Sequence, residues 1–214
     1  VALDFLYDGQ DYRLNTDQFV LTAGQGNEAI LQELGVESTK MQRRPLQQVM
    51  VKHHYPHRFY GHCLGAETTP RLTVSSHPCD DTSQVWYLGG SLAEKGAELS
   101  SDEVIAGAKK ELKELMPWID LSEAQWATLP VDRAEPRQLN FARPDKAFAS
   151  TIKECPNVIV AWPTKLTLCP NLADEVIEIL EKQKITASSD SVPDLHFLST
   201  PPLALTPWQT AFGD

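Results

Sequence analysis

Cysteine is scarce in this sequence. Cys63, Cys79, Cys155 and Cys169 are the four in 214 residues, and no two form a Cys-x-x-Cys pair. That spacing gives no support to a zinc ribbon or a thioredoxin-type redox motif. Scattered thiols of this kind are expected to be reduced, in a cytoplasmic protein. No apolar run approaches the length of about 18 residues that a membrane-spanning helix needs, and no secretory leader is read at the start. Positive charge is in deficit. The formal net charge of −10 argues against nucleic acid and anionic membrane surfaces as partners, because phosphates would be repelled. A small anionic ligand responds to local charge and stays compatible. No Gly-x-Gly-x-x-Gly follows a first strand. The sequence opens at Val1 inside a strand-like pattern, so it is expected to be a piece of a longer chain.

What is present is ordinary globular composition, 42% hydrophobic and 22% charged. A chain of this length can bury about 70% of its unfolded surface, as one large domain or two small ones. The first segment, to Tyr7, reads as a strand, followed by the turn dipeptide Asp8-Gly9 and a return through Tyr12-Arg13-Leu14. Gln18 to Ala23 is a compact apolar strand suited to a buried sheet position. Gly24-Gln25-Gly26 ends it, and a short helix follows with Asn27 as N-cap, Glu28 in its first turn and Gly35 as its stop.

Strands are expected at 46–53, 58–64, 71–76 and 84–88, with short breaks that favour antiparallel pairing. Leu72 and Val74 alternate with Thr73 and Ser75, the period of a half-buried strand. The clearest helix is 102–116. Ser100 and Glu103 form a capping-box pattern, and Val104, Ala108, Leu112 and Leu115 share one face. A strand over 125–131 follows, then an irregular polar stretch over 132–146. Asn157 to Trp162 is another buried-strand run, and a second helix is expected from Asn171 to about Gln183. Beyond Thr186 the chain reads as an extended tail, pinned by Phe197, Leu203, Leu205 and Trp208. The fold class is α+β: a mainly antiparallel sheet with packed helices, plus strand–turn–helix elements.

Two segments carry candidate chemistry. In Val20-Leu21-Thr22-Ala23-Gly24-Gln25-Gly26-Asn27, a buried strand delivers small residues to a helix start. There a ligand can approach the backbone and anionic groups are favoured. In Asn157 to Leu168, a strand ends in Trp162-Pro163-Thr164-Lys165-Leu166-Thr167-Leu168 ahead of a helix, a common ligand platform in α/β folds. From spacing alone, a plain tight turn and a solvated surface lysine account for both. A cluster at His53, His54, His57 and His62, with Cys63, His77 and Cys79, invites a metal hypothesis. Adjacent His53 and His54 point opposite ways in a strand, however, and no paired ligand spacing is present.

The same segments resemble the D-amino-acid oxidase-like superfamily of FAD-dependent oxidoreductases. Leu21 to Asn27 is similar to the strand-turn that closes the FAD domain near the adenine-side phosphates. Pro163-Thr164-Lys165-Leu166-Thr167 matches three of five positions of the Gly-Gly-Lys-Leu-Thr motif of the glycerol-3-phosphate dehydrogenases in that group. Trp86 to Ser91 with Glu94 resembles a Gly-Gly strand, and Trp126 to Arg133 a Trp-Ala-Gly-x-Arg-Pro segment. Three features depart from the pattern: the dinucleotide motif is absent, Pro163 and Thr164 stand where the flavin loop has glycines, and Arg133 is displaced relative to the family arginine.

The resemblance implies FAD as cofactor, contacted by Ala23, Gly24, Gly26, Pro163, Thr164, Leu166 and Thr167. It implies Lys165 beside the reduced flavin, and Arg133, with Arg137 or Arg58 as alternates, clamping a substrate carboxylate or phosphate. It implies oxidation of a small amine or hydroxy substrate by hydride transfer to flavin. The expected organisation is 1–40 from the FAD domain, 41–150 as substrate domain, 151–185 returning to the FAD domain, and 186–214 as tail. Such a piece alone is expected to be inactive and without flavin. Two other readings remain: a non-catalytic small-molecule-binding module, and a metal-dependent hydrolase built on the histidines of 53–77.

Overall fold

The computed structural model describes residues 2–79, 82–139, 144–185 and 195–213. They divide into two compact units. One comprises Val1–Arg44 and Arg133–Pro201, the other Pro45–Asp132 and Pro202–Asp214. The α+β class is as expected: antiparallel sheets and several helices, with a parallel strand pair among the described residues.

The first unit opens with a hairpin, β1 (Ala2–Tyr7) and β2 (Gln10–Asn15), closed by the pair Tyr7–Gln10. Asp8 and Gly9 both have positive φ, 48° and 73°, the two-residue turn that matches strand twist. Its three-stranded sheet runs in the order β3 (Phe19–Leu21), β10 (Val158–Trp162), β9 (Phe148–Thr151). All five residues of β10 are buried, as expected of an apolar run inside a sheet. Leu31, Ile152, Val158, Val160 and Trp162 form the core, with Phe19, Leu21 and Phe148 packed on it.

After β3 comes a 3-10 turn, Gly24–Gly26, and then α1 (Asn27–Glu33). Gly35, at φ +66°, stops α1 as expected. Its N–H donates to Gln32 O, and that of Val36 donates to Leu31 O, pairing two carbonyls the helix end leaves open. Helix α4 spans Cys169–Lys182, so it starts two residues before the expected Asn171, with Pro170 in its first turn where no N–H is needed.

The second unit holds a five-stranded sheet in the order β5 (Gly61–Cys63), β6 (Leu72–Pro78), β7 (Gln84–Gly89), β4 (Met41–His53), β8 (Gln125–Pro136). The pairs β5–β6, β6–β7 and β7–β4 are antiparallel, as the short breaks suggested. Helix α3 (Ser101–Leu115) has the full capping box. It lays Val104, Ala108 and Leu112 on Val49, Val51, Leu72, Val74, Trp86 and Leu88. Burying each of these valine and leucine side chains contributes about 1.5–3 kcal/mol.

Three elements escape the sequence reading: β9, α2 (Ser91–Gly96) and α5 (Pro207–Phe212). Helix α5 corrects the extended tail over part of its length. Thr206 and Gln209 cap it reciprocally, and Trp208 stacks on His77 at 4.4 Å. Phe197 does pin its segment, stacked on Tyr12 at 4.6 Å. Leu203 and Leu205 do not, being 98% and 67% exposed. Residues 186–194 lie outside the described ones.

Candidate cofactor-site edge

β3 and β10 run parallel, with Phe19 opposite Val158, Val20 opposite Ile159 and Leu21 opposite Val160. Parallel neighbours end at the same edge of a sheet. The turns that leave them, Thr22 to Asn27 and Pro163 to Leu168, therefore emerge side by side. Crevices outside the carboxyl ends of parallel strands are where open α/β sheets bind ligands.

Side chains lock the pair together. Asn27 is fully buried, and its role corrects the expected N-cap: Gly26 occupies that position, without a side-chain cap. Asn27 instead reaches backwards. Its Oδ1 accepts from Ala23 N at 2.9 Å, and its Nδ2 donates to Leu21 O at 3.3 Å and to Ala161 O at 3.4 Å. An amide side chain has both donor and acceptor, so one residue satisfies the end of β3, the turn and the end of β10. Trp162, 1% exposed, donates Nε1–H to Gly24 O at 3.0 Å. Gly24 has φ +60°, and nothing stands within 4 Å of where its Cβ would lie. The backbone is thus open to close approach there.

The second turn is tighter. Lys165 N–H donates to Pro163 O at 2.6 Å, a γ-turn around Thr164, whose φ is +60°. A threonine in this region is strained by roughly 1–3 kcal/mol. Its hydroxyl donates to Lys146 O at 2.9 Å, tying the turn to the segment ahead of β9. Lys165 Nζ lies 3.8 Å from Asp145 Oδ1. Leu166 is 87% exposed, and Thr167 is exposed beside it.

The structure therefore groups Ala23, Gly24 and Gly26 with Pro163, Thr164, Lys165, Leu166 and Thr167. Arg133 sits elsewhere, half-buried on β8, at the residue where the chain returns to the first unit. Two residues further along that strand, Glu135 is 1% exposed; it accepts from Gln42 Nε2 at 3.3 Å and lies 3.7 Å from Arg44 Nη1. Asp145 and Glu135 lie outside the two candidate segments; Asn27 and Trp162 lie within them, but their locking contacts were not foreseen. A buried-strand run ending in tryptophan, and an asparagine directly after a glycine turn, were the available signals.

In the second unit His53, the last residue of β4, is buried, and His54, directly after it, is exposed. Burial, with a smaller contribution from His54, pushes the His53 imidazole down to about 4. Among the described residues, no three His, Cys, Asp or Glu side chains come together as metal ligands. A cleft of about 640 Å³ also belongs to this unit, between α3 and the 117–126 segment. No described helix is long and apolar enough to cross a membrane.

No protein-family model matches the sequence. It is 50% identical over 208 residues to the probable FAD-dependent oxidoreductase PA4991 of Pseudomonas aeruginosa strain PAO1, covering 96% of this chain and 51% of that protein. The crystal structure of that FAD-dependent oxidoreductase superposes with a TM-score of 0.83, over 96% of this chain and 55% of the other. Iminodiacetate oxidase (IdaA) from Chelativorans sp. BNC1 shares the fold at 14% identity, with a TM-score of 0.51. The chain thus spans about half the length of the relatives it matches.

Proposed function

We propose that this chain is part of an FAD-dependent oxidoreductase that oxidises a small amine or hydroxy compound by hydride transfer to the flavin. The observation that carries the reading is the parallel β3–β10 pair, which sets the small-residue turn and the lysine turn at one edge. The similarity to PA4991 supports the FAD and oxidoreductase parts. The residues fit one wall of a dinucleotide site. Gly24 has open space where a side chain would stand, the 3-10 turn leads straight into α1, and Lys165 supplies a cation. Pro163 offers no N–H, so fewer backbone donors face the ligand than in a glycine loop.

When bound, FAD supplies the hydride acceptor. Residues 1–40 and 151–185 serve the FAD side and 41–150 the substrate side, with 186–214 as tail. Ala23, Gly24 and Gly26 accept close approach by the nucleotide. Pro163, Thr164, Leu166 and Thr167 shape the loop, and Lys165 stabilises negative charge developing on the ring. Arg133 clamps the substrate's carboxylate or phosphate. The four thiols, none in a disulfide, suit a reducing compartment.

The test is flavin content and anaerobic flavin bleaching. The full-length protein should carry one flavin per chain and bleach with members of a panel of amino and hydroxy acids. Arg133→Met should raise the substrate concentration needed by about tenfold or more, as the loss of a charged hydrogen-bonded contact implies. The 214-residue chain alone should be colourless. A full-length protein without flavin would overturn the proposal.

A further inference from the structure

Lys165 and Thr164 both reach into the stretch just ahead of β9. Lys165 Nζ is 3.8 Å from the Asp145 carboxylate, and Thr164 Oγ1 donates to Lys146 O at 2.9 Å. The two contacts fall on consecutive residues of one segment and come from consecutive residues of one turn. Asp145 is 94% exposed and the Lys165 side chain 35% exposed. In an open pair of this kind, water screens most of the attraction. A ligand packed over the turn would displace that water and strengthen every charge interaction beneath it.

We propose that Asp145 and Thr164 are positioning residues for Lys165, and that Asp145 is the built-in counter-ion that limits how much of the lysine's charge reaches the ligand. This rests on the reading of Lys165 as facing the flavin. The turn makes the point sharp. With Pro163 in place of a residue carrying an N–H, Lys165 is the cation this turn itself presents, so a carboxylate that holds its ammonium decides where that charge stands. Thr164 supplies the geometry. Its strained turn aims the hydroxyl at Lys146 O and thereby holds Asp145 against Lys165.

The consequence is electrochemical. Positive charge near the ring favours the reduced, more negative flavin, so removing the Asp145 charge raises the flavin midpoint potential and removing the lysine lowers it. The experiment measures that potential in the flavin-loaded full-length protein for the wild type, Asp145→Asn, Lys165→Met, Thr164→Val and the double variant Asp145→Asn/Lys165→Met. Asp145→Asn should favour the reduced form by about tenfold, near 30 mV for a two-electron couple. Lys165→Met should shift it the other way. Thr164→Val should follow Asp145→Asn with a smaller shift, because the carboxylate is then no longer held.

In the Lys165→Met background Asp145→Asn should have little effect, since the carboxylate acts through the lysine. Equal shifts in both backgrounds, or none from Asp145→Asn, overturn the proposal while leaving the lysine reading intact. No shift from Lys165→Met overturns the lysine reading itself, and the counter-ion role falls with it. Asp145 is on the surface, so its variant leaves the core untouched, and the flavin-to-protein ratio verifies loading before each titration.

Discussion

Trp162, the last residue of β10, donates its indole N–H to the carbonyl of Gly24 across 3.0 Å, joining two turns 138 residues apart in the chain. Trp162→Phe keeps the tilted ring contact with Phe148 but leaves that carbonyl without its donor. The loss should be about 1–2 kcal/mol, from one part-buried hydrogen bond and a small cavity. A urea titration followed by circular dichroism checks it; an unchanged midpoint would mean that the bond contributes nothing to the edge.

Asn27 closes the same edge from the other side. Asn27→Ala removes three hydrogen bonds from a fully buried position and should cost about 2–4 kcal/mol. Asn27→Asp is the sharper test. It keeps the shape and the acceptor for Ala23 N but sets a carboxylate oxygen against the carbonyls of Leu21 and Ala161. It should destabilise at least as much as alanine at pH 7, and less so in mild acid, where protonation restores a donor. Equal stability of Asn27→Asp and the wild type at pH 7 would show that the two Nδ2 bonds are not formed.

His53 sets a pH response for the second unit. Its Nδ1 accepts from Tyr55 N–H at 3.1 Å, its ring meets Trp86 edge to face at 4.3 Å, and burial holds its pKa at about 4 against an ordinary 6.5. The unfolded chain therefore binds a proton between pH 6.5 and 4 that the folded one refuses. Stability falls as pH drops through that window, by about 2 kcal/mol at pH 5 relative to pH 7. His53→Asn should abolish that part of the slope, whatever it does to absolute stability. Urea midpoints at pH 7 and pH 5 for both proteins decide it; parallel pH slopes would remove His53 as the source.

The legible parts of this fold were the locally encoded ones. Ser100 and Glu103 announce the start of α3, Gly35 the end of α1, and the Leu72–Val74 alternation the face of β6, because capping and pleat act over a few residues. The parallel pairing of β3 with β10 was not legible from local pattern. No signal within either segment states which strand will lie beside it, and only the family resemblance grouped the two turns. Asn27 illustrates the limit. As a helix-start asparagine it reads as a cap, yet tertiary contact with Ala161 turned its amide the other way. β9 was hidden because Phe148–Thr151 is short and only half-buried, and its pairing with β10 provides its stability.

The end of α4 gives a stabilising prediction. Lys184 has φ +60°, a left-handed conformation that a side chain disfavours by about 1 kcal/mol or more. It is held there because its N–H donates to Glu181 O at 2.9 Å and that of Ile185 to Leu180 O at 2.9 Å, the same closure that Gly35 makes on α1. Lys184→Gly keeps both bonds and removes the clash of Cβ with the carbonyl. Against that stand the larger entropy of a glycine in the unfolded chain and the loss of a cation near the helix C-terminus, about 0.3 kcal/mol on an exposed surface. The balance should be a gain of about 0.5 kcal/mol in stability. Lys184→Ala, which keeps a Cβ and loses the same charge, should give no gain. Equal midpoints for the glycine and alanine variants would show that the backbone at 184 is not under strain.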